Sequence, residues 1–464
     1  MTDIITVTKT GRTTARISLD GVNGTCSQQA LKTKLQTAES LYASKNPGSK
    51  AAHNVALESM PGGNTRSVLY NQPFPICIKR GQGNRLWDVD GHEYLDFMGE
   101  MTAGLYGHSN GTIREALISA FDQLGVNLGA HNLEEAKLAS LLCSRFQSIE
   151  HIRFCNSGTE ANLYALSVAR KVTGKRKVIA FTGGYHGGVL GFAHGVSENT
   201  VDPGDWVLGS YNDQANLSSL FESHDDIAAV IVEAMQGAGG SIPGDLGFLQ
   251  SIQSLSAKHR VIFILDEVMT SRLYPSGLQG KFGLHPDLTT LGKYMGGGLA
   301  FGAFGGRKEL LQTYDPRQSS ALPHSGTFNN STLTMAAGYA GLSKVYTIQA
   351  NLELNALGES LRTKLQTIAK GTKMVITGVG AVMTVHFLEH GRTPLRVEDL
   401  DHHSIPELKK LFWFWCIEMS YWIAERGMIS LSLGTTMKDV DVFVKLVDDF
   451  IAEHRADLKL ENSA

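Results

Sequence analysis

Four short apolar runs recur through the middle of the chain: IRFCN at 152–156, KVIAF at 177–181, IAAVIVE at 227–233 and RVIFILDE at 260–267. Each has the length of a strand and is rich in β-branched residues, and from about residue 112 onward each has helix-like sequence beside it. That alternation predicts βα units and a largely parallel sheet, an α/β fold. In such sheets ligands bind beyond the carboxyl ends of the strands. The polar residues that directly follow these runs are therefore the ones to read for chemistry.

The flanks differ. Residues 28–60 carry helical spacing (Leu31, Leu35, Ala38, Leu41, Tyr42), and RLWDVDGHEYLDF reads as two strand halves around a tight Asp90-Gly91 turn. From about 332 a long helical stretch begins, followed by a strand-like VITGVGAVMTVHF and a final helix near 438–454. With 464 residues, and single cores that stop growing near ~250–300, two domains are expected. We divide the chain into an arm (1–24), a first segment (25–110), a large unit (111–345) and a C-terminal region (346–464).

Composition narrows the function. A net charge of −3 argues against a dedicated nucleic-acid surface. No run approaches the ~18 apolar residues of a membrane span. Five scattered cysteines without a CxxC or Cys/His cluster argue against zinc. The N-terminus lacks the apolar stretch of a secretory signal, so the expected compartment is the cytoplasm.

Several short stretches carry chemistry. Asn156-Ser157-Gly158-Thr159-Glu160 follows the first run; Ser157 and Glu160 have capping-box spacing, and the Ser, Gly and Thr offer the N–H groups and hydroxyls of a phosphate site at a helix start. No GxxxxGK[ST] is present, which disfavours nucleotide hydrolysis. Asp266 ends the fourth run, where a carboxylate must find a partner or shift its pKa. With Glu267 it could hold a metal, pair with a protonated ring nitrogen, or bond to nearby backbone. Lys293 stands in LGKYMGGG, where glycines allow a ligand close, and a lysine shielded from water can form Schiff bases. Tyr185 or His186 in GGYHGG could stack on a planar ring. SGTFNN at 325–330 reads alone as a turn and helix start. Each stretch also has an ordinary structural explanation. In this order they supply what pyridoxal phosphate needs: a phosphate turn, a ring face, a partner for the ring nitrogen and an amine for the aldehyde.

NSGTEA, GGYHGG, DEV and LGKYMGGG, in this order and spacing, resemble the class III, fold type I pyridoxal-phosphate aminotransferases from about residue 28 to 455. PGGNTRSVL, GLYGHS, DEVMTSRL, AFGAFGGR and HSGTFNN resemble the β-phenylalanine aminotransferase subgroup, whose neighbours are the glutamate-1-semialdehyde aminomutases.

The resemblance implies a large cofactor-binding domain (111–345) with a mainly parallel, seven-stranded-type sheet. It also implies a smaller α+β domain built from 25–110 and 346–464. It implies that Lys293 forms the Schiff base and shuttles the proton, and that Asp266 pairs with the pyridinium nitrogen. Ser157, Gly158 and Thr159 would hold the phosphate, with Thr327 reaching it from the other subunit of a homodimer. Tyr185 and Val268 would flank the ring, with His186 and Glu233 among the cofactor contacts. Arg66 would bind the substrate carboxylate and Arg426 would be a second such group. The reaction implied is a ping-pong transfer from a β-amino acid or related amine to a 2-oxo acid, pyruvate or 2-oxoglutarate. Three departures stand out: Met101 replaces a common aromatic, Ala234 follows Glu233 where many relatives have Pro, and PGGNTRSVL replaces the aminomutase-type PGGVNSPVR. The alternatives are a 2,1-aminomutase and a non-catalytic homologue of the same fold.

Overall fold

The computed structural model describes residues 28–460 apart from 194, 196–198 and 200. The arm expected at 1–24 lies outside the described residues. Two helices, Gln28–Lys45 and Pro47–Leu57, precede three consecutive antiparallel strands: β1 (Ile78–Gln82), β2 (Arg85–Asp88) and β3 (Glu93–Asp96). The Asp90-Gly91 turn falls between β2 and β3, and Gly91 takes the positive φ of 88° that the turn requires.

The central sheet has seven strands. They are β4 (His151–Cys155), β5 (Lys177–Phe181), β6 (Trp206–Gly209), β7 (Ile227–Glu233), β10 (Ile262–Asp266), β11 (Leu288–Gly292) and β12 (Gly302–Gly306); the short β8 (Met235–Gln236) and β9 (Ile242–Pro243) form a ribbon outside it. The order is β4-β12-β11-β10-β7-β5-β6. Only β12 runs against the rest.

The four apolar runs of the sequence are β4, β5, β7 and β10. β5, β7 and β10 read as continuous runs because both faces are covered. Val230, Val232, Phe263 and Leu265 enter one apolar cluster, whereas Ala229, Ile231, Ile262 and Ile264 enter another on the opposite side. The other three strands, WVLG, LTTLG and GAFGG, are too short or too rich in Gly and Thr to show this pattern.

A third sheet comprises β13 (Met374–Val379), β14 (Val382–Phe387) and β16 (Met428–Ser430), and β15 (Tyr421–Trp422) pairs parallel with β3. The C-terminal region thus closes onto the first segment through main-chain hydrogen bonds. The helical stretch from 332 is not continuous. It breaks into Thr332–Ala340, a wide turn at Gly341–Val345 and Ile348–Ala369, which Thr347 caps afresh. No described helix is long and apolar enough to cross a membrane.

Candidate active site

Cys155, Phe181, Glu233, Asp266 and Gly292 end β4, β5, β7, β10 and β11 at the same edge of the central sheet. The side chains read for chemistry therefore converge, as the parallel topology requires.

Ser157 caps the 16-residue helix Gly158–Thr173, its Oγ accepting from Glu160 N at 3.2 Å. The reciprocal half of the expected capping box is redirected. The Glu160 carboxylate accepts from Asn156 N at 2.9 Å, one residue earlier than Ser157. Thr159 Oγ1 accepts from Gly188 N at 3.2 Å. Both hydroxyls keep their own protons to donate. A β-carbon on Gly158 would fall 2.8 Å from Val268 Cγ1, so this glycine lets the helix start seat against Val268. These groups suit an anion.

Asp266 is 4% exposed. Its Oδ2 accepts from Asn162 Nδ2 at 2.8 Å and lies 2.9 Å from His186 Nδ1; among the described residues Oδ1 accepts only from Val268 N, at 2.9 Å. One lone pair of Oδ1 stays available for a further N–H. His186 is thus buried beneath Asp266 rather than offered as a ring face; Tyr185, 48% exposed, is the aromatic facing outward. Glu267 turns away, bonded to Thr270, Leu278 N and Gln279 N, so the two carboxylates do not share a cation site. Burial pushes the Glu267 carboxyl up to about 7. Among the described residues no cluster of three or more His, Cys, Asp or Glu could hold a metal.

Glu233 is also raised to about 7, by burial first and by Asp266, while His186 and two backbone donors oppose the shift. Those donors are Tyr185 N at 3.0 Å and Gly237 N at 2.9 Å, so Glu233 fixes the loop that carries Tyr185.

Lys293 begins the turn after β11 with φ of 58°, a left-handed conformation unusual outside glycine. Its amine makes no hydrogen bond among the described residues. Burial depresses its pKa first, and the charges of Arg66 and Arg426 depress it further, against Glu100 and Asp266. Arg66 forms an ion pair with Glu100, and both side chains are nearly half exposed. Met101 Sδ lies 4.0 Å from Nη2 of Arg66 and 4.0 Å from Nη2 of Arg426. Thr327 stands apart; it is exposed and makes no hydrogen bond to the Ser157–Thr159 turn of its own chain.

Three participants escaped the sequence reading. Asn162, which bonds Asp266 and accepts from Thr290 Oγ1 at 2.7 Å, is the polar exception among the buried positions of its helix, and that exception is a readable signal. Glu100 and Arg272 gave no local signal; their roles depend on contacts across the chain.

The residues present fit pyridoxal phosphate. The amine is desolvated and unbonded, Asp266 retains an acceptor site, and a helix N-terminus with two free hydroxyl protons adjoins Val268. The comparisons agree. The Aminotransferase class-III family model matches residues 68–204 and 205–444. An uncharacterized aminotransferase of Schizosaccharomyces pombe is 53% identical over 408 residues, covering 88% of this chain and 93% of its own. The beta-phenylalanine transaminase of Variovorax paradoxus is 46% identical over 437 residues, covering 93% and 99%. A crystal structure of a beta-phenylalanine aminotransferase from Variovorax paradoxus superposes with a TM-score of 0.90 at 45% identity, over 93% of this chain and all of that one. The chain belongs to the class-III aminotransferases and is a pyridoxal-phosphate-dependent enzyme of that family.

Proposed function

We propose that the protein transfers the amino group of a β-amino acid to a 2-oxo acid, pyruvate or 2-oxoglutarate, by a ping-pong mechanism. The observation that carries this reading is the pair of guanidiniums, Arg66 and Arg426, that flank Met101 beside the Lys293 amine. A planar guanidinium pairs bidentately with a carboxylate. Two of them suit a site that receives a carboxylated donor and then a carboxylated acceptor.

Pyridoxal phosphate, when bound, supplies the electron sink that stabilises a carbanion at the donor carbon. The chain supplies the rest. The Ser157 and Thr159 hydroxyls and the first N–H groups of the helix bind the phosphate. Tyr185 and Val268 would flank the ring. Asp266, oriented by Asn162 and His186, would keep the proton on the ring nitrogen. Lys293 Nζ would be the amine that receives the cofactor's aldehyde, and as a free amine it would take the proton from the amino-bearing donor carbon. Such positioned proton transfer is worth roughly 10²–10⁴-fold. Arg66 orients the donor carboxylate. Its partner Glu100 is easily displaced, because an exposed pair contributes only ~0–1 kcal/mol.

The direct test is a donor panel with each acceptor. Release of a β-oxo acid that depends on added 2-oxo acid supports the reading. Isomerisation of a single substrate without an acceptor would point instead to an aminomutase.

Asp266→Asn is expected to cut the transamination rate by ~10²-fold or more while leaving the melting temperature nearly unchanged, since a neutral amide no longer favours a protonated ring nitrogen. Steady-state rates and a thermal melt check this; a largely active variant would remove Asp266 from the role.

A homodimer completes the proposal. Phe121 (59% exposed), Leu133 (75%) and Phe328 (58%) belong, with Ile118, Val126 and Leu128, to a set of large apolar side chains left open to water. Phe328 adjoins Thr327. A second copy seated there would cover these side chains and place its Thr327 at the phosphate turn. Light scattering of the cofactor-loaded protein is expected to give twice the chain mass, and an active monomer would refute the arrangement.

A further inference from the structure

Residues 99–102 hold four consecutive positive φ values: Gly99 53°, Glu100 47°, Met101 50° and Thr102 82°. L residues avoid this region, and a run of them persists only where its surroundings over-determine it. Gly99 has no substitute, because a β-carbon there would fall 2.5 Å from Ser430 O. The run is also the part of the first segment that meets both site arginines. Glu100 pairs with Arg66, and Met101 touches Arg66 and Arg426.

Arg272 grips this run from beneath. It is fully buried. Its Nη1 donates to Thr102 O at 3.1 Å and to Ser430 Oγ at 2.9 Å, and its Nη2 donates to Leu431 O. The residue is itself clamped: its carbonyl accepts from Tyr346 Oη, from Asn351 Nδ2 at 3.0 Å and from Asn355 Nδ2 at 3.0 Å. Among the described residues its acceptors are all neutral. Burial pulls its pKa down, yet a guanidinium does not shed its proton in a protein. A desolvated charge is thus spent on tying the end of the left-handed run to the end of β16.

We propose that Arg272 is a positioning residue for donor selection: it locks Gly99–Thr102 against β16 and so sets where Glu100 and Met101 stand relative to Arg66 and Arg426. Donor selection rests on the reading of those arginines as carboxylate sites; the lock does not. An apolar side chain could fill the same space, but it could not hold Thr102 O and Ser430 Oγ together through one nitrogen.

The test uses Arg272→Lys and Ser430→Ala in the cofactor-loaded full chain. Ser430→Ala removes one acceptor without burying an unpaired charge, so it decides the matter should Arg272→Lys fail to fold. Two quantities are read: hydrogen exchange of amides 99–104, and KM and kcat for β-phenylalanine beside a phenyl-bearing amine that lacks a carboxylate. Exchange at 99–104 is expected to quicken about tenfold in Arg272→Lys, and by less in Ser430→Ala, with the central strands unchanged. KM for β-phenylalanine should rise about five- to twentyfold at nearly constant kcat, with little change for the plain amine. Unchanged exchange at 99–104 overturns the lock. Arg66→Ala is run in parallel. If Arg66→Ala separates the two donors and Arg272→Lys does not, the positioning role is overturned. If neither separates them, the β-amino acid reading fails and the lock is judged on exchange alone.

Discussion

Lys293→Ala is expected to lose transamination by at least about 10³-fold while still taking up pyridoxal phosphate. Lys293 directly follows β11 at the carboxyl edge of the central sheet, and its amine makes no hydrogen bond among the described residues. Burial and the charges of Arg66 and Arg426 favour the neutral, nucleophilic form of Lys293. The Ser157–Thr159 turn, Asp266 and Tyr185 do not depend on this side chain, so cofactor uptake is expected to survive. Rates, visible absorption and the site of borohydride labelling check the prediction together. Labelling of another lysine in the parent protein would overturn the assignment. Glu100 opposes the depression of the Lys293 pKa, so Glu100→Gln should lower it further. The rise in reactivity as pH increases should then begin at a lower pH.

The second large effect is expected at Arg66. Arg66→Ala should raise KM for β-amino acids by the equivalent of about 2–5 kcal/mol, because it leaves a desolvated substrate carboxylate unpaired. Amines without a carboxylate should change far less. Arg66→Lys should recover only part of the loss, since an ammonium offers a point charge rather than a planar fork. The exposed Glu100 pair predicts little effect of Arg66→Ala on thermal stability. Equal losses for both donor classes would make Arg66 structural and remove the main support for a β-amino acid donor.

The legible and illegible parts of the chain separate on physical grounds. β5, β7 and β10 were readable because burial on both faces selects uninterrupted β-branched residues, a local property. Asp266 and Lys293 were readable because charged residues at such strand ends are expensive and therefore informative. β12 escaped because three of its five residues are glycine, a composition that locally means a turn. The partners of His186 and Glu233 escaped because they lie at sequence separations of 80 and 48. The bent run at Glu100–Thr102 is invisible in sequence for another reason. Its left-handed backbone is held partly by contacts far along the chain, Arg272 on Thr102 O and Ser430 against Gly99, which no local pattern announces.

β12 also bears on how such a chain can diversify. Added β-carbons would fall 2.1 Å from Ser157 O at Gly302, 2.8 Å from His151 O at Gly305 and 2.2 Å from Asp287 O at Gly306. The strand is a thin spacer whose missing side chains let the phosphate turn rest directly on the sheet. A side chain at Gly302 would push the Ser157 turn off the sheet, whereas the side chains of Glu100 and Met101, unlike Gly99, can change without crowding that floor. Sequence drift and laboratory libraries are thereby steered to the rim. On the proposed reading, such a scaffold would change its amine at the rim while its floor stays fixed.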